Sequence, residues 1–477
     1  MDTRPNVLLL VTDQERYDLS TPDGPDVRTT GYDRLQAEGM RFERAYTPIS
    51  ICTSARASLL TGLYPHNHGM LNNCHGNEAV LRNLPERFPT FARRLQADGY
   101  ETSYVGKWHV GRDQRPEHFG FDQYQGTDSN VLDDTLRAYH RSFGIDSDEI
   151  ELEDESYTDH PDDPDLVSAT LPIPIEATRT YYYTELTIDR LRRYANDAND
   201  GTPFLHRLDY PGPHHPYVVP EPYASMYDPV EIEPWSSYSE TFDGKPRIHE
   251  LQLANRGDRS FDWDDWAPIV SKYFGYVSLI ADQVDRLLAA LDELGLTENT
   301  VVVHTSDHGD FTGSHRQFNK GPLMYEETYH LPLVVRWPDV VEPGSVCTEF
   351  VRLHDLMPMI LDIAGLDAPS GIDGRSIRPL LEGSTPADWP QRVFAEYHGD
   401  EFGFYSQRML ANHRFKYVHN AFDIDELYDH DADPHELRNL IDHPEYESVR
   451  HSLQEALLEE MGRTHDPFLE WTEKALR

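Results

Sequence analysis

The chain is short of lysine. Of 477 residues only six are Lys: Lys107, Lys245, Lys272, Lys320, Lys416 and Lys474. Lys and Arg together number 42 against 84 Asp and Glu, a formal net charge of −42. A chain this acidic repels nucleic acid and anionic membrane, so neither is expected as a partner. An acid-rich, lysine-poor surface also suits solubility in high salt, where screening tolerates self-repulsion, and a halophilic protein is expected. Cysteine is scarcer still. Cys52, Cys74 and Cys347 cannot build a disulfide scaffold and lie too far apart for a CxxC-type zinc site. No apolar run reaches the roughly 18 residues that cross a bilayer. The opening MDTRPNVLLLVTDQ has an apolar run only at residues 7–11 and no small-residue cleavage site. It reads as a first strand and not a signal peptide, so the expected location is cytoplasmic. What is present suffices for a core: 38% hydrophobic and 11% aromatic residues exclude wholesale disorder.

Residues 6–12 form a buried-strand pattern ending in Asp13-Gln14. Helical patterns over 32–38, 54–61 and 90–97 stop at Gly39, Gly62 and Gly99, and a strand over 100–105 stops at Gly106. Such alternation predicts an α/β fold, a mostly parallel central sheet flanked by helices. A helix over 178–194 and strands over 203–208, 301–305 and 331–336 extend it. Residues 267–294 keep a helical apolar period through Val270, Tyr273, Val277, Ile280, Val284, Leu287 and Leu291 up to Gly295. Residues 146–165 hold eleven Asp or Glu and no Lys or Arg, and read as a solvated loop. Residues 220–263, rich in Pro, Trp, Tyr and Asp, read as a long excursion. After a helix over 354–364 the pattern changes near residue 388 to short strands (392–396, 415–419) and a closing helix (447–461). The expected division is a catalytic domain over 1–387 and a smaller α+β subdomain over 388–477.

Two strands end in an acid, Asp13 and Asp307, the latter followed by His308. In open α/β sheets ligands bind at that edge. With Gln14 these residues offer oxygen donors and one imidazole, which suit a hard divalent ion. Either Asp alone is more often a turn or N-cap residue than a ligand, and it is the pairing of two at comparable strand ends that brings the readings level. Cys52 stands where a helix begins, with Arg56 one turn on. Amides at a helix start and a guanidinium favour an anion there, although a lone buried cysteine is often plain packing. Lys107 and His109, two residues apart after a strand, project to one side. They supply a point charge for an oxyanion and a group that moves protons near neutral pH. His214 follows the strand over 203–208, and Lys320 lies twelve residues after His308. Where lysine is this rare, Lys107 and Lys320 are expected to do what arginine cannot, and the other four lysines are expected at the surface. Together these groups make a site for an anionic, tetrahedral ester beside a metal.

These residues resemble the sulfatase family of the alkaline-phosphatase-like superfamily over nearly the whole chain. The pattern Cys-x-x-x-Arg-x-x-Leu-Leu-Thr-Gly over residues 52–62 carries the resemblance. So do residues 99–109, Thr305-Ser306-Asp307-His308-Gly309, residues 326–338, and the tail from Glu426-Leu427-Tyr428-Asp429 through Asp433-Pro434 to Asn439-Leu440. The resemblance implies that a formylglycine-generating enzyme oxidises Cys52 to formylglycine. The hydrated aldehyde has two hydroxyls: one attacks sulfur and the other later expels sulfate. It implies that Asp13, Gln14, Asp307 and His308 bind the metal together with the nucleophile at position 52. Arg56 and Lys107 would hold the hydrated aldehyde, and His109 would take the proton that triggers release. His214 and Lys320 would contact the sulfate and the leaving oxygen. Asn73 resembles a polar substrate contact.

Two positions depart from the usual pattern. Ser54 stands where Pro or Ala is usual, within the segment that the converting enzyme reads. Asp13-Gln14 stands where many sulfatases have two Asp, and this variant resembles choline sulfatases and phosphonate monoester hydrolases. Ca²⁺ is the expected ion, with Mn²⁺ or Mg²⁺ the alternatives. The expected activity is hydrolysis of a sulfate ester of a small molecule or glycan. Phosphodiester or phosphonate monoester hydrolysis is the alternative, against which Lys107-Trp108-His109 argues. An unmodified binder of sulfated glycans is the third reading. Residues 113–170 and 220–263 are expected to line the outer pocket.

Overall fold

The computed structural model describes residues 4–126, 134–160, 164–197, 201–256, 259–400 and 403–477. The central sheet contains β1 (Asn6–Asp13), β2 (Met40–Tyr46), β3 (Glu101–Gly106), β4 (Gln123–Gln125), β5 (Phe204–Pro213), β6 (Thr300–Ser306), β7 (His330–Leu331), β8 (Leu333–Arg336) and β9 (Ser345–Arg352). Their order is β7-β2-β8-β6-β1-β5-β3-β4, with β9 also on β2. β1 is buried along its whole length. Its unbroken Val and Leu run is what a strand covered on both faces requires. Alternate residues divide between two cores: Val7, Leu9 and Val11 face one, Leu8 and Leu10 the other.

β1 lies parallel to both β5 and β6, and β3 parallel to β5. The C-terminal ends of β1, β3, β5 and β6 therefore meet at one edge, and that edge carries the chemistry. The strand expected over 331–336 is broken at Pro332, which lacks the N–H a ladder needs, leaving β7 and β8. β8 runs antiparallel to β6 and β2, so the sheet is mixed but mostly parallel.

Helix Trp263–Glu293 packs its apolar stripe, including Val270, Tyr273, Val277 and Leu287, on one face of the sheet. Its start is fixed by a capping box in which Asp262 accepts from the amides of Asp264 and Asp265. Helices Cys52–Thr61, Phe91–Ala97 and Leu356–Ile363 cover the other face. Among the described residues no helix is long and apolar enough to cross a membrane.

The C-terminal part forms an antiparallel sheet of β10 (Arg392–Tyr397), β11 (Gln407–Asn412), β12 (Phe415–Asn420) and β13 (Glu426–Asp429). Phe394, Leu410, Tyr417 and Leu427 meet Leu453, Leu457 and Met461 of helix Glu447–Arg463. The intervening Val393, Ala395, Met409, Ala411 and Val418 join the main core.

Two expectations change. The acidic stretch 146–165 is not all loop. Glu153–Tyr157 pairs with Leu166–Thr170, and Tyr217–Val219 completes a small sheet. The acids point to solvent along that edge strand, where charge deters further pairing; residues 161–163 lie outside the described set. The lysines are not at the surface either: Lys107, Lys245, Lys272, Lys320 and Lys416 are buried and only Lys474 is exposed.

Candidate active site

Cys52 is the first residue of helix Cys52–Thr61, preceded by extended Ile51, and all ten helical residues are buried. Small residues such as Ala55, Ala57 and Ser58 let the helix sit close to its neighbours. Gly62 ends it at φ 74, donating its N–H to Ser58 O. The Cys52 Sγ lies 3.2 Å from His308 Nε2 and 3.8 Å from Asp13 Oδ1.

One turn on, Arg56 is fully buried among three carboxylates. Nε donates to Asp307 Oδ2 at 2.8 Å, Nη2 to Asp13 Oδ2 at 2.9 Å and Nη1 to Asp209 Oδ2 at 2.5 Å. Nη1 also reaches Lys107 O at 3.1 Å. Arg56 thus ties the three acids together. Asp209 is clamped from its other side by Arg207, whose Nε and Nη2 stand 2.7 and 2.6 Å from its two oxygens.

β3 delivers the next pair. Trp108 packs into the core against Tyr104 and Phe119. Its neighbours Lys107 and His109 turn the other way. Lys107 Nζ lies 2.5 Å from Asp13 Oδ2. His109 lies close enough to Cys52 for their charges to interact, and stacks on His75 at 4.9 Å. Lys320 Nζ lies 3.0 Å from Gln14 Oε1 and 3.3 Å from His214 Nε2. His214 Nδ1 donates to His215 O at 2.6 Å, which leaves Nε2 as the acceptor facing the ammonium. Behind Lys320, Gln252 and Arg256 donate to its carbonyl from helix Arg247–Arg256, so part of the 220–263 excursion supports the site. Tyr227 and Trp235 of the same excursion line a separate cavity of about 1290 Å³, bordered also by Arg16, Tyr46, Glu326 and Glu436. Residues 127–133, 161–163 and 257–258 of the expected outer pocket lie outside the described set.

The charges bear on one another. Burial works to raise the Cys52 thiol, yet Lys107, Lys320 and His308 together hold it well below its ordinary value. For Asp13, burial and the Cys52 charge push upward and Lys107, His214 and Arg56 overcome them, so the carboxylate is ionised. Burial pushes Asp307 up despite Arg56. Burial first, then the charge of Lys107, push His109 down to about 4, so its ring is neutral at pH 7. Ligand atoms of Asp13, Cys52, Asp307 and His308 lie within 4.8 Å of one another. The backbone N–H of Gln14 donates to Asp307 Oδ1 at 3.1 Å and keeps that residue beside them. Two carboxylates, an amide oxygen and an imidazole suit a hard divalent cation.

The family model described as Sulfatase matches residues 5–366, and that described as N-sulphoglucosamine sulphohydrolase, C-terminal, matches residues 313–463. The chain belongs to the sulfatase family. The uncharacterized sulfatase YidJ of Escherichia coli (strain K12) is 30% identical, covering 98% of this chain and 88% of its own. An N-acetylglucosamine-6-O-sulfatase of Bacteroides thetaiotaomicron is 27% identical over 97% of this chain and 87% of its own. Among solved structures, the phosphonate monoester hydrolase of Agrobacterium radiobacter superposes with a TM-score of 0.82 at 25% identity, covering 97% of this chain and 96% of that one.

In this sulfatase every sequence-predicted site residue except Asn73 joins one chain of contacts around Cys52. The Asn73 Nδ2 and backbone N instead donate to Asp400, at 2.8 and 3.3 Å. Its Oδ1 is buried and accepts no hydrogen bond among the described residues. Sequence reasoning missed Asp209 and Arg207, although Asp209 directly follows the strand expected over 203–208, the same signal that marked Asp13 and Asp307. It also missed Asp310 and Asn319, which hold the Gln14 amide.

Proposed function

We propose that the chain hydrolyses a sulfate ester of a carbohydrate, using a formylglycine made from Cys52 by a formylglycine-generating enzyme. One divalent cation, Ca²⁺ before Mn²⁺ or Mg²⁺, would be held by Asp13, Gln14, Asp307 and His308 with the residue at position 52. The observation that supports this most is the place of Cys52 Sγ, between His308 Nε2 and Asp13 Oδ1 at a helix start. That sulfur stands in for an oxygen of the hydrated aldehyde. The bound cation would supply charge stabilisation and polarise the ester oxygens.

The chain's own residues do the rest. Lys107 and Lys320 place ammonium groups where negative charge grows on the sulfate and the leaving oxygen. His109, neutral and near position 52, is poised to take its proton. Lys320 donates to His214 Nε2, so the ammonium carries the proton that would be handed to the leaving group while His214 holds it in place. Arg56 and Arg207 keep the carboxylates in place, and Asn73 with Asp400 borders the substrate. The carbohydrate substrate follows the N-acetylglucosamine-6-O-sulfatase relative.

The test is a parallel assay of an aryl sulfate and an aryl phosphonate. The sulfate ester is expected to have the higher kcat/KM. Cys52→Ala should abolish turnover and leave the unfolding profile unchanged. A higher kcat/KM on the phosphonate would favour the second reading, which the Asp13-Gln14 pair and the 0.82 superposition support. Binding of a sulfated glycan with no turnover would favour the third.

A further inference from the structure

The two ends of the Gln14 amide face different chemistry. Nε2 lies 2.6 Å from Asp310 Oδ2 and 2.9 Å from Asn319 Oδ1, whereas Oε1 lies 3.0 Å from Lys320 Nζ. The reverse orientation would aim a carbonyl oxygen at a carboxylate and an NH₂ group at an ammonium, so the partners fix the assignment. Both amide protons are used. Asp310 is itself held: its Oδ2 also accepts from Tyr217 OH at 2.6 Å and its Oδ1 from Thr312 N at 2.9 Å. Gln14, Asp310, Tyr217, Thr312 and Asn319 are all buried. The backbones of Gln14 and Asn319 stand at φ 68 and φ 65, a region that non-glycine residues occupy only when their surroundings hold them there.

We propose that Asp310 is a positioning residue for the metal centre. By taking one amide proton of Gln14, while Asn319 takes the other, it turns the Gln14 carbonyl oxygen outward as a neutral ligand. Its own negative charge is the reason that position 14 holds an amide and not an acid. This rests on the reading that Gln14 is a ligand. In Asp310→Asn, the oxygen facing Thr312 N stays an acceptor, so the new NH₂ meets the NH₂ of Gln14. Gln14 must then turn its oxygen inward, and the ligand is lost. In Gln14→Glu, a carboxylate oxygen meets Asp310 Oδ2 and Asn319 Oδ1. In the double variant Gln14→Glu/Asp310→Asn, the new NH₂ at 310 donates to one carboxylate oxygen at 14 and the other oxygen faces outward again.

The experiment is calorimetric titration of Ca²⁺ into metal-stripped full-length protein, with every variant in the same Cys52 state and its unfolding profile checked. Asp310→Asn and Gln14→Glu should each weaken Ca²⁺ binding by about 10–100-fold, the scale for losing a group that orients a ligand. The double variant should return to within about threefold of wild type, because the two sites are directly coupled. Wild-type affinity in Asp310→Asn, affinity in Gln14→Glu at or above wild type, or a double variant as weak as the product of its singles would overturn the proposal. If Asp310→Asn does not fold, the comparison of Gln14→Glu with the double variant decides: tighter binding in the double supports the role, equal or weaker binding refutes it. Asp307→Ala separates the two levels. If it binds Ca²⁺ as wild type does, the metal centre itself is wrong; if it alone loses Ca²⁺, only the role of Asp310 falls.

Discussion

Lysine serves this chain as a buried ammonium. Lys416 Nζ sits between Glu326 and Glu436 at 2.6 and 2.7 Å, and Lys245 Nζ bonds Glu240, Tyr325 OH and Glu436 O. At each position a compact donor reaches several acceptors that a planar guanidinium would miss. Lys107→Arg and Lys320→Arg should therefore each lower kcat by roughly a hundredfold or more, the scale for losing one preorganised donor to a growing charge. Lys245→Arg and Lys416→Arg should leave kcat near wild type and lower stability by about 1–3 kcal/mol through overpacking. Lys474→Arg, on the surface, should move stability by less than about 0.5 kcal/mol. Parallel kinetics and denaturant unfolding of the five variants check this pattern. Equal, mild effects throughout would remove the catalytic role of both site lysines.

At the scale of elements, the helix after Cys52–Thr61 ties the two parts of the chain together. His66, in Pro65–His68, has Nδ1 2.5 Å from Glu396 Oε2 on β10 and Nε2 2.9 Å from Thr464 O, after helix Glu447–Arg463. Both ring nitrogens face acceptors, so the ring is an imidazolium. Burial opposes that charge, but Glu396 outweighs it and raises His66 to about 9. A raised histidine stabilises fully below its unfolded value of 6.5 and loses that contribution as pH climbs through the folded value. His66→Gln should cost about 3 kcal/mol at pH 6 and almost nothing near pH 10, read as the difference in unfolding free energy from wild type. A difference independent of pH would show that the ring is neutral. None of this was visible in the sequence, because the partners of His66 lie more than three hundred residues away. The strands were legible because burial on both faces writes an unbroken Val–Leu run, as in β1. The site was legible where a signal is local, as with an acid at a strand end or Lys107 and His109 flanking Trp108. Asp310 and Asn319 carry no such mark: only the folded loop brings them to Gln14. Glu153–Tyr157 was misread because its acids face water from an edge strand, where composition matches that of a loop.

At the scale of the molecule, we propose that the chain divides at 387/388, just before β10, into the catalytic domain and the α+β subdomain. The two share one core through Val393, Ala395 and Met409, so they should unfold together. A net charge of −42 opposes the compact state wherever screening is weak. Raising KCl from about 0.1 M to about 1 M shortens the screening length from about 10 Å to about 3 Å, and the melting temperature should rise with it. A melting temperature that is flat or falling over that range would contradict the expected adaptation to salt.

The central claim is that position 52 is chemically converted and supplies the nucleophile. It is tested most directly by mass spectrometry of the peptide that contains position 52, from protein made in its native host. The expected result is an aldehyde side chain at that position, with the sulfur and two hydrogens gone and one oxygen gained. An intact cysteine in protein that still hydrolyses sulfate esters would contradict it.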